Sequence, residues 1–260
     1  VRALAAAVRP ALVFHLAGTT RPLGWEGLWA AHVRATMNLM EALAALPRPP
    51  RVVLSGSSGE YGAAGEGAIS ETAPLNPVTL YGSTKRCQSL AALSYRHAGL
   101  SVLIARIFNV LGPGVPAHLA PGAFARQVAE IEQGRAEPHL AVGNLSPRRD
   151  YLDVRDVARA LADIASRGVP GEAYNVCSGS AHSMGELLDR MISLSERRIS
   201  VVADPAKMRG VDVPVVFGSH RKLTRLSGWA PRVSLQQSVA DTMAWHRAPP
   251  GARRRSAAAS

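Results

Sequence analysis

Tyr81 is followed one helical turn later by Lys85 in the run Tyr81-Gly-Ser-Thr-Lys85. On a helix, positions four apart share a face, so a phenol and an ammonium stand side by side. A nearby cation favours the phenolate, which predicts a lowered Tyr81 pKa and a phenol usable as proton donor or acceptor. Ser57 and Ser58 lie earlier in the chain, just past Arg51–Leu54, an apolar run that reads as a strand. The carboxyl end of such a strand is where parallel sheets place their ligands. A serine and a tyrosine hydroxyl converging on one carbonyl oxygen would stabilise the alkoxide formed when hydride adds to carbon. Ser57, Tyr81 and Lys85 are therefore the candidate catalytic group, and interconversion of a carbonyl and an alcohol is the chemistry they suit.

Those residues need a scaffold, and the chain alternates strand and helix signals. Leu12–Leu16 reads as a buried strand ending in a turn at Ala17-Gly18. Glu26–Leu46 carries Leu28, Ala31, Ala35, Leu39, Ala42 and Leu46 at helical spacing, and Pro47 stops it. Gly82–His97 reads as a helix and Ser101–Arg106 as a strand, before Gly112-Pro113-Gly114 breaks the chain. This order predicts an α/β fold, a doubly wound parallel sheet with helices on both faces. Beyond Gly114, helices over Ala123–Gln133 and Val154–Ser166 and a strand over Ala173–Val176 are expected. Ser183-Met-Gly-Glu186 and Ser234-Leu-Gln-Gln237 have the form of helix starts. The expected division is a dinucleotide-binding domain over 1–111 plus 150–177, and a smaller mixed α/β substrate domain over 112–149 plus 178–247. A disordered tail is expected over 248–260.

Composition narrows the class. The 260 residues are 47% hydrophobic, too apolar for a chain disordered as a whole. Runs such as Ala11–Ala17 fall far short of the roughly 20 residues a bilayer span needs. Val1–Pro10 reads as an Arg-punctuated helix pattern and not as a secretory signal. Two cysteines, Cys87 and Cys177, make no framework, so a reducing cytoplasm is the expected compartment. The formal charge is +11. Apart from Arg253-Arg254-Arg255, however, the basic residues are scattered and no stripe alternates with aromatics. That argues against a nucleic-acid partner, and an anionic small substrate accounts for the balance. No metal site is expected.

Six segments occur in an order that resembles a known family: His15-Leu-Ala-Gly18, Ser57-Ser-Gly-Glu-Tyr-Gly62, Tyr81-x-x-x-Lys85, Arg106-Ile-Phe-Asn-Val-Leu-Gly-Pro113, Arg149-Asp-Tyr-Leu-Asp-Val-Arg-Asp156 and Tyr174-Asn-Val-Cys-Ser-Gly179. They resemble the extended short-chain dehydrogenase/reductases, the nucleotide-sugar epimerase/dehydratase group, over about Val1 to Arg247. The closing Arg209-Gly-Val-Asp212 and Gly228-Trp-Ala-Pro231 look most like its GDP-sugar reductases. The resemblance implies a Rossmann-like sheet and an NADP or NAD cofactor lined by Leu16, Ala17, Gly18, Tyr81 and Lys85. It also implies the catalytic roles of Ser57, Tyr81 and Lys85. Ser58, Asn109, Arg149, Arg209 and Asp212 would grip a GDP-sugar, the two arginines suiting a pyrophosphate. The implied reaction is reduction of the 4-keto group of a GDP-4-keto-6-deoxyhexose, with a 4-epimerase as the alternative. A homodimer through Glu26–Leu46 and Gly82–His97 is expected.

Departures from the family shape further expectations. Sugar 4,6-dehydratases carry an acid one or two places after the catalytic serine or threonine, and here those places are Ser58 and Gly59. Glu60 is one step off and, on an extended segment, would point to the opposite face. His32 stands where the family usually has Asn, and Ser219 where Asp is common. No G-x-x-G-x-x-G turn is present, and the chain opens inside a helix pattern at Val1. The expectation is therefore an N-terminally truncated fold, roughly 60 residues short at two crossover units of ~30 each. Leu12–Leu16 would be an exposed apolar edge and dinucleotide binding weak, so an inactive binding protein is a further alternative.

Overall fold

The computed structural model describes residues 1–63, 65, 67–208 and 213–249. It divides into two compact units, residues 1–108 with 157–179 and 216–230, and residues 109–156 with 180–215 and the chain from 231 onward.

The first unit is built on a parallel sheet in the order Leu12–His15, Arg51–Ser57, Ser101–Ile107, Ala173–Val176. Its central strands read as unbroken apolar runs because helices cover both faces. Val52, Leu54, Val102 and Ile104 pack on Met40, Leu43 and Ala92 of the helical side. Val53 and Leu103, which alternate with them and face the other way, are equally buried. On that side Gly168 follows the helix Val154–Arg167, and a Cβ there would lie 2.2 Å from Leu103 Cδ2. Leu12–His15 forms the sheet edge, and Leu12 and Phe14 are exposed. The expected apolar edge is thus present.

The long amphipathic helix is in place with one interruption. Gly24–Trp29 and Ala35–Ala44 are α-helical, but Ala30–Arg34 between them is a π turn. The second helix of interest, Leu80–Ser94, starts where the extended Thr79 accepts a hydrogen bond from Gly82 N at 3.0 Å. It ends before His97, because Tyr95–Ala98 tightens into a 3-10 turn closed by Gly99 at φ 84°.

The second unit has its own core. Phe124, Val128, Leu140, Tyr151, Leu187, Met191 and Met243 pack together between the helices Ala120–Glu132, Met184–Ile192 and Leu235–Arg247. Ser183 and Ser234 cap the last two, accepting from Glu186 N and Gln237 N, as their sequence signals predict. Short strands absent from the sequence reading complete it: His139–Val142 pairs in parallel with Ser200–Ala203, and Asn109–Leu111 with Tyr151–Asp153.

That last pairing moves a boundary. Residues 109–111 and 150–156 fall in the second unit, not the first. Residues 216–230 return to the first, where Lys222 Nζ meets Glu172 Oε2 at 2.6 Å and Trp229 is buried. The expected tail lies almost wholly outside the described residues. No helix among those described is long and apolar enough to cross a membrane.

Candidate active site

Ser57 is the last residue of its strand, three residues beyond the expected strand end. The chain then turns through the 3-10 segment Ser58–Glu60. Ser57 Oγ accepts from Gly59 N at 3.1 Å, and Ser57 N donates to Glu60 Oε1 at 2.8 Å, a reciprocal capping box. Gly82, in the first turn of the Leu80–Ser94 helix, lets that helix approach. A Cβ on Gly82 would lie 2.3 Å from the Gly59 carbonyl oxygen. The closeness sets the Tyr81 phenol near the Ser57 hydroxyl, whose influence favours the ionised phenol.

The electrostatics of Tyr81 differ from the sequence expectation. Its pKa is raised, chiefly by burial; the Ser57 hydroxyl lowers it and the Glu60 charge raises it further. Spacing revealed the ammonium one turn away, but the Lys85 ammonium is turned inward. Nζ donates to Ser55 O at 2.6 Å and to Gln88 Oε1, and Gln88 Nε2 donates to Thr36 Oγ1. Lys85 is 4% exposed, which excludes a solvated surface pair. Burial lowers its pKa to about 8, and Glu60 opposes that.

Glu60 also differs. It sits in a turn, not on an extended segment, and is completely buried, with Oε2 3.5 Å from Arg106 Nε. Arg106 lies over the Tyr61 ring and donates to its hydroxyl at 3.0 Å, and that hydroxyl donates to Asn175 at 2.7 Å. The serine therefore rests on a buried polar layer that sequence reasoning missed.

Leu16, Ala17 and Gly18 are exposed beyond the edge strand. His32 ties that loop to the Leu80–Ser94 helix. Its ring lies 2.9 Å by Nδ1 from Thr84 Oγ1, 2.9 Å by Nε2 from Thr19 O, and edge-on to Tyr81 at 5.5 Å. The π turn carries this side chain inward, and burial lowers its pKa, with Lys85 adding to the effect. His15, on the edge strand, shares a 2.7 Å hydrogen bond with Thr36 Oγ1. One unit thus gathers Ser57, Ser58, Tyr81, Lys85 and the Leu16–Gly18 loop. Asn109 and Arg149 belong to the other: Asn109 Nδ2 donates to Asp150 O at 3.2 Å, and Arg149 to the carbonyls of Arg148 and Val213. Arg209 and Asp212 lie outside the described residues.

A parallel sheet whose strand-end serine meets a helix-borne Tyr-x-x-x-Lys defines a short-chain dehydrogenase/reductase. The family model for GDP-mannose 4,6 dehydratase matches residues 1–242. The chain belongs to that family of extended short-chain dehydrogenases/reductases. It is 33% identical over 237 residues to a GDP-6-deoxy-D-mannose reductase from Pseudomonas aeruginosa, covering 88% of this chain and 78% of that protein. A dTDP-6-deoxy-L-talose 4-dehydrogenase (NAD(P)(+)) from Kitasatospora kifunensis is 31% identical, over 87% of this chain and 72% of its own. Among solved structures, RMD from Pseudomonas aeruginosa complexed with NADPH matches at TM-score 0.86 and 31% identity, over 92% of this chain and 82% of that one.

Proposed function

We propose that this protein is an NAD(P)H-dependent reductase of the 4-keto group of GDP-4-keto-6-deoxy-D-mannose. The observation that carries the reading is the turn after Ser57. Elimination of water needs an acid or base beside the catalytic serine, yet Ser58 and Gly59 follow it and the Glu60 carboxyl is sealed behind it. What faces the substrate side is a hydroxyl pair, Ser57 and Tyr81, with an ammonium one turn away. That set suits carbonyl reduction, and the reductase among the relatives supports it.

The residues fit a nicotinamide cofactor. Lys85 has three ammonium protons, and Ser55 O and Gln88 Oε1 take two, leaving one for a ribose hydroxyl. Leu16, Ala17 and Gly18 are exposed, and with Tyr81 they are the proposed cofactor contacts. When bound, NAD(P)H supplies the hydride that adds to C4. The Ser57 hydroxyl donates to the carbonyl oxygen and polarises it. The Tyr81 phenol gives its proton to the oxygen as charge develops there. Lys85 stabilises the resulting phenolate until solvent returns a proton. Ser58, Asn109, Arg149, Arg209 and Asp212 are the proposed sugar-nucleotide contacts. The protein acts in the cytoplasm as a homodimer, a reading supported by its having only two cysteines and by exposed Met37, Leu80 and Leu90 on the two long helices.

The test is product analysis with the 4-keto sugar nucleotide and NADPH. Stoichiometric loss of NADPH with formation of GDP-6-deoxy-D-mannose is expected, and Tyr81→Phe should abolish it. Interconversion of C4 epimers without net cofactor oxidation would establish the epimerase instead. Absence of turnover and of cofactor binding would leave the binding-protein alternative.

A further inference from the structure

Lys85 is aimed by a side chain for which the reduction itself has no step. Gln88, one turn further along the same helix, is completely buried, as is Thr36 on the helix Ala35–Ala44. A buried side-chain amide can sit either way round, and here its partners admit one sense only. Thr36 Oγ1 lies 2.6 Å from the His32 carbonyl oxygen, so its single proton is donated there. The Thr36 lone pairs then face Gln88 Nε2 at 2.9 Å and His15 Nε2 at 2.7 Å, and both nitrogens are donors. With its nitrogen committed to Thr36, Gln88 presents Oε1 to Lys85 Nζ, which can only donate. Ser55 O takes a second ammonium proton at 2.6 Å. An ammonium held at two of its three protons cannot rotate about its last bond, so the third proton has one direction.

We propose that Gln88 is the positioning residue of Lys85: its amide, held in one sense by the Thr36 hydroxyl, locks the ammonium and so fixes the proton left for the cofactor ribose. The inference rests on the proposed reductase reading for the ribose, but not for the lock. It also extends the catalytic group to the sheet edge, since the same hydroxyl joins Gln88 to His15 on Leu12–His15. Glu60, His15 and His32 are the titratable groups whose charge couples to Lys85. Burial holds both histidines neutral, and Glu60 is paired with Arg106 at 3.5 Å. None of them changes when Gln88 is replaced, so a shift at Lys85 reports the amide.

The chain has three lysines and five glutamines, so 15N NMR of labelled lysine and glutamine side chains in the substrate-free protein reads both partners. Gln88→Met keeps the length of the side chain and removes the acceptor. A hydrogen bond to the charged form is lost, and the Lys85 titration midpoint should fall from about 8 by roughly one pH unit. Gln88→Glu keeps an acceptor and adds an opposite charge, and the midpoint should rise by about one unit. A packing role would move both variants the same way or neither. A midpoint unmoved by Gln88→Met, or lowered by both substitutions, overturns the proposal. In wild type the Gln88 amide resonance should titrate with the Lys85 midpoint, a measurement that needs no variant to fold. An amide that stays flat while Lys85 titrates overturns the proposal equally. NADPH should bind Gln88→Met about tenfold more weakly, and equal affinity overturns the link to the ribose. A wild-type protein that binds no NADPH would refute the cofactor reading while leaving the titrations to judge Gln88.

Discussion

Gly82 offers the sharpest perturbation, because one methyl group there acts on the turn that carries Ser57. In Gly82→Ala the new Cβ would lie 2.3 Å from Gly59 O, 3.0 Å from Gly59 C and 3.1 Å from Pro77 Cβ. Ordinary contact begins at about 3.5 Å, so turn and helix must separate by about 1 Å. Gly59 cannot move alone, since its amide holds Ser57 Oγ at 3.1 Å. The hydroxyl pair is therefore pulled apart. A misplacement of that size costs about 100-fold in rate, or roughly 2.7 kcal/mol on the barrier. Stability responds differently. Alanine favours a helix by up to about 1 kcal/mol over glycine, against an overpacking cost of about 1–3 kcal/mol. The net loss of stability is then at most about 3 kcal/mol, within the roughly 5–15 kcal/mol of a typical folded domain, so the variant stays folded. NADPH oxidation with the 4-keto sugar nucleotide, set beside urea unfolding, separates the two effects. Activity within about threefold of wild type, in a protein as stable or more so, would show that the close approach does not place Ser57.

Two further predictions address the scaffold. Burial, with help from Lys85, lowers the pKa of His15 to about 4 in the folded chain, against 6.5 when it is exposed on unfolding. The unfolded state binds more protons between those values, so the stability is fully present above pH 6.5 and is lost as pH falls through 4. The loss is on the order of 3 kcal/mol. His15→Asn should flatten the unfolding free energy across that window, and parallel curves for the two proteins would refute the assignment. Leu90 on the Leu80–Ser94 helix is 56% exposed, with Met37 exposed on Ala35–Ala44. If these helices form the proposed dimer, Leu90→Glu should shift the sedimentation of the protein from dimer to monomer, and a wild type that sediments as a monomer removes the dimer.

What the sequence showed and what it hid divide along physical lines. Arg51–Ser57 and Ser101–Ile107 are legible because strands covered on both faces need continuous apolar runs. Tyr81 and Lys85 are legible because helical spacing puts them on one face. Burial is not written in spacing, however. Spacing supplied the charge beside Tyr81 and so predicted a lowered pKa, whereas desolvation wins and raises it. The π turn that carries His32, whose ring meets Thr84, interrupts an apolar pattern that reads as one continuous helix. The two- to four-residue strands of the second unit are too short to show a period. Glu60 is the instructive case. Ser57-Ser-Gly-Glu60 has the capping-box form, Ser-x-x-Glu, which places the glutamate back on the serine amide. Read as an extended strand, the same four residues send the carboxylate elsewhere. Because the capping box holds the carboxylate behind Ser57, with Arg106 beside it, it cannot act on a sugar as an elimination base. The case for reduction over dehydration therefore follows from that one turn.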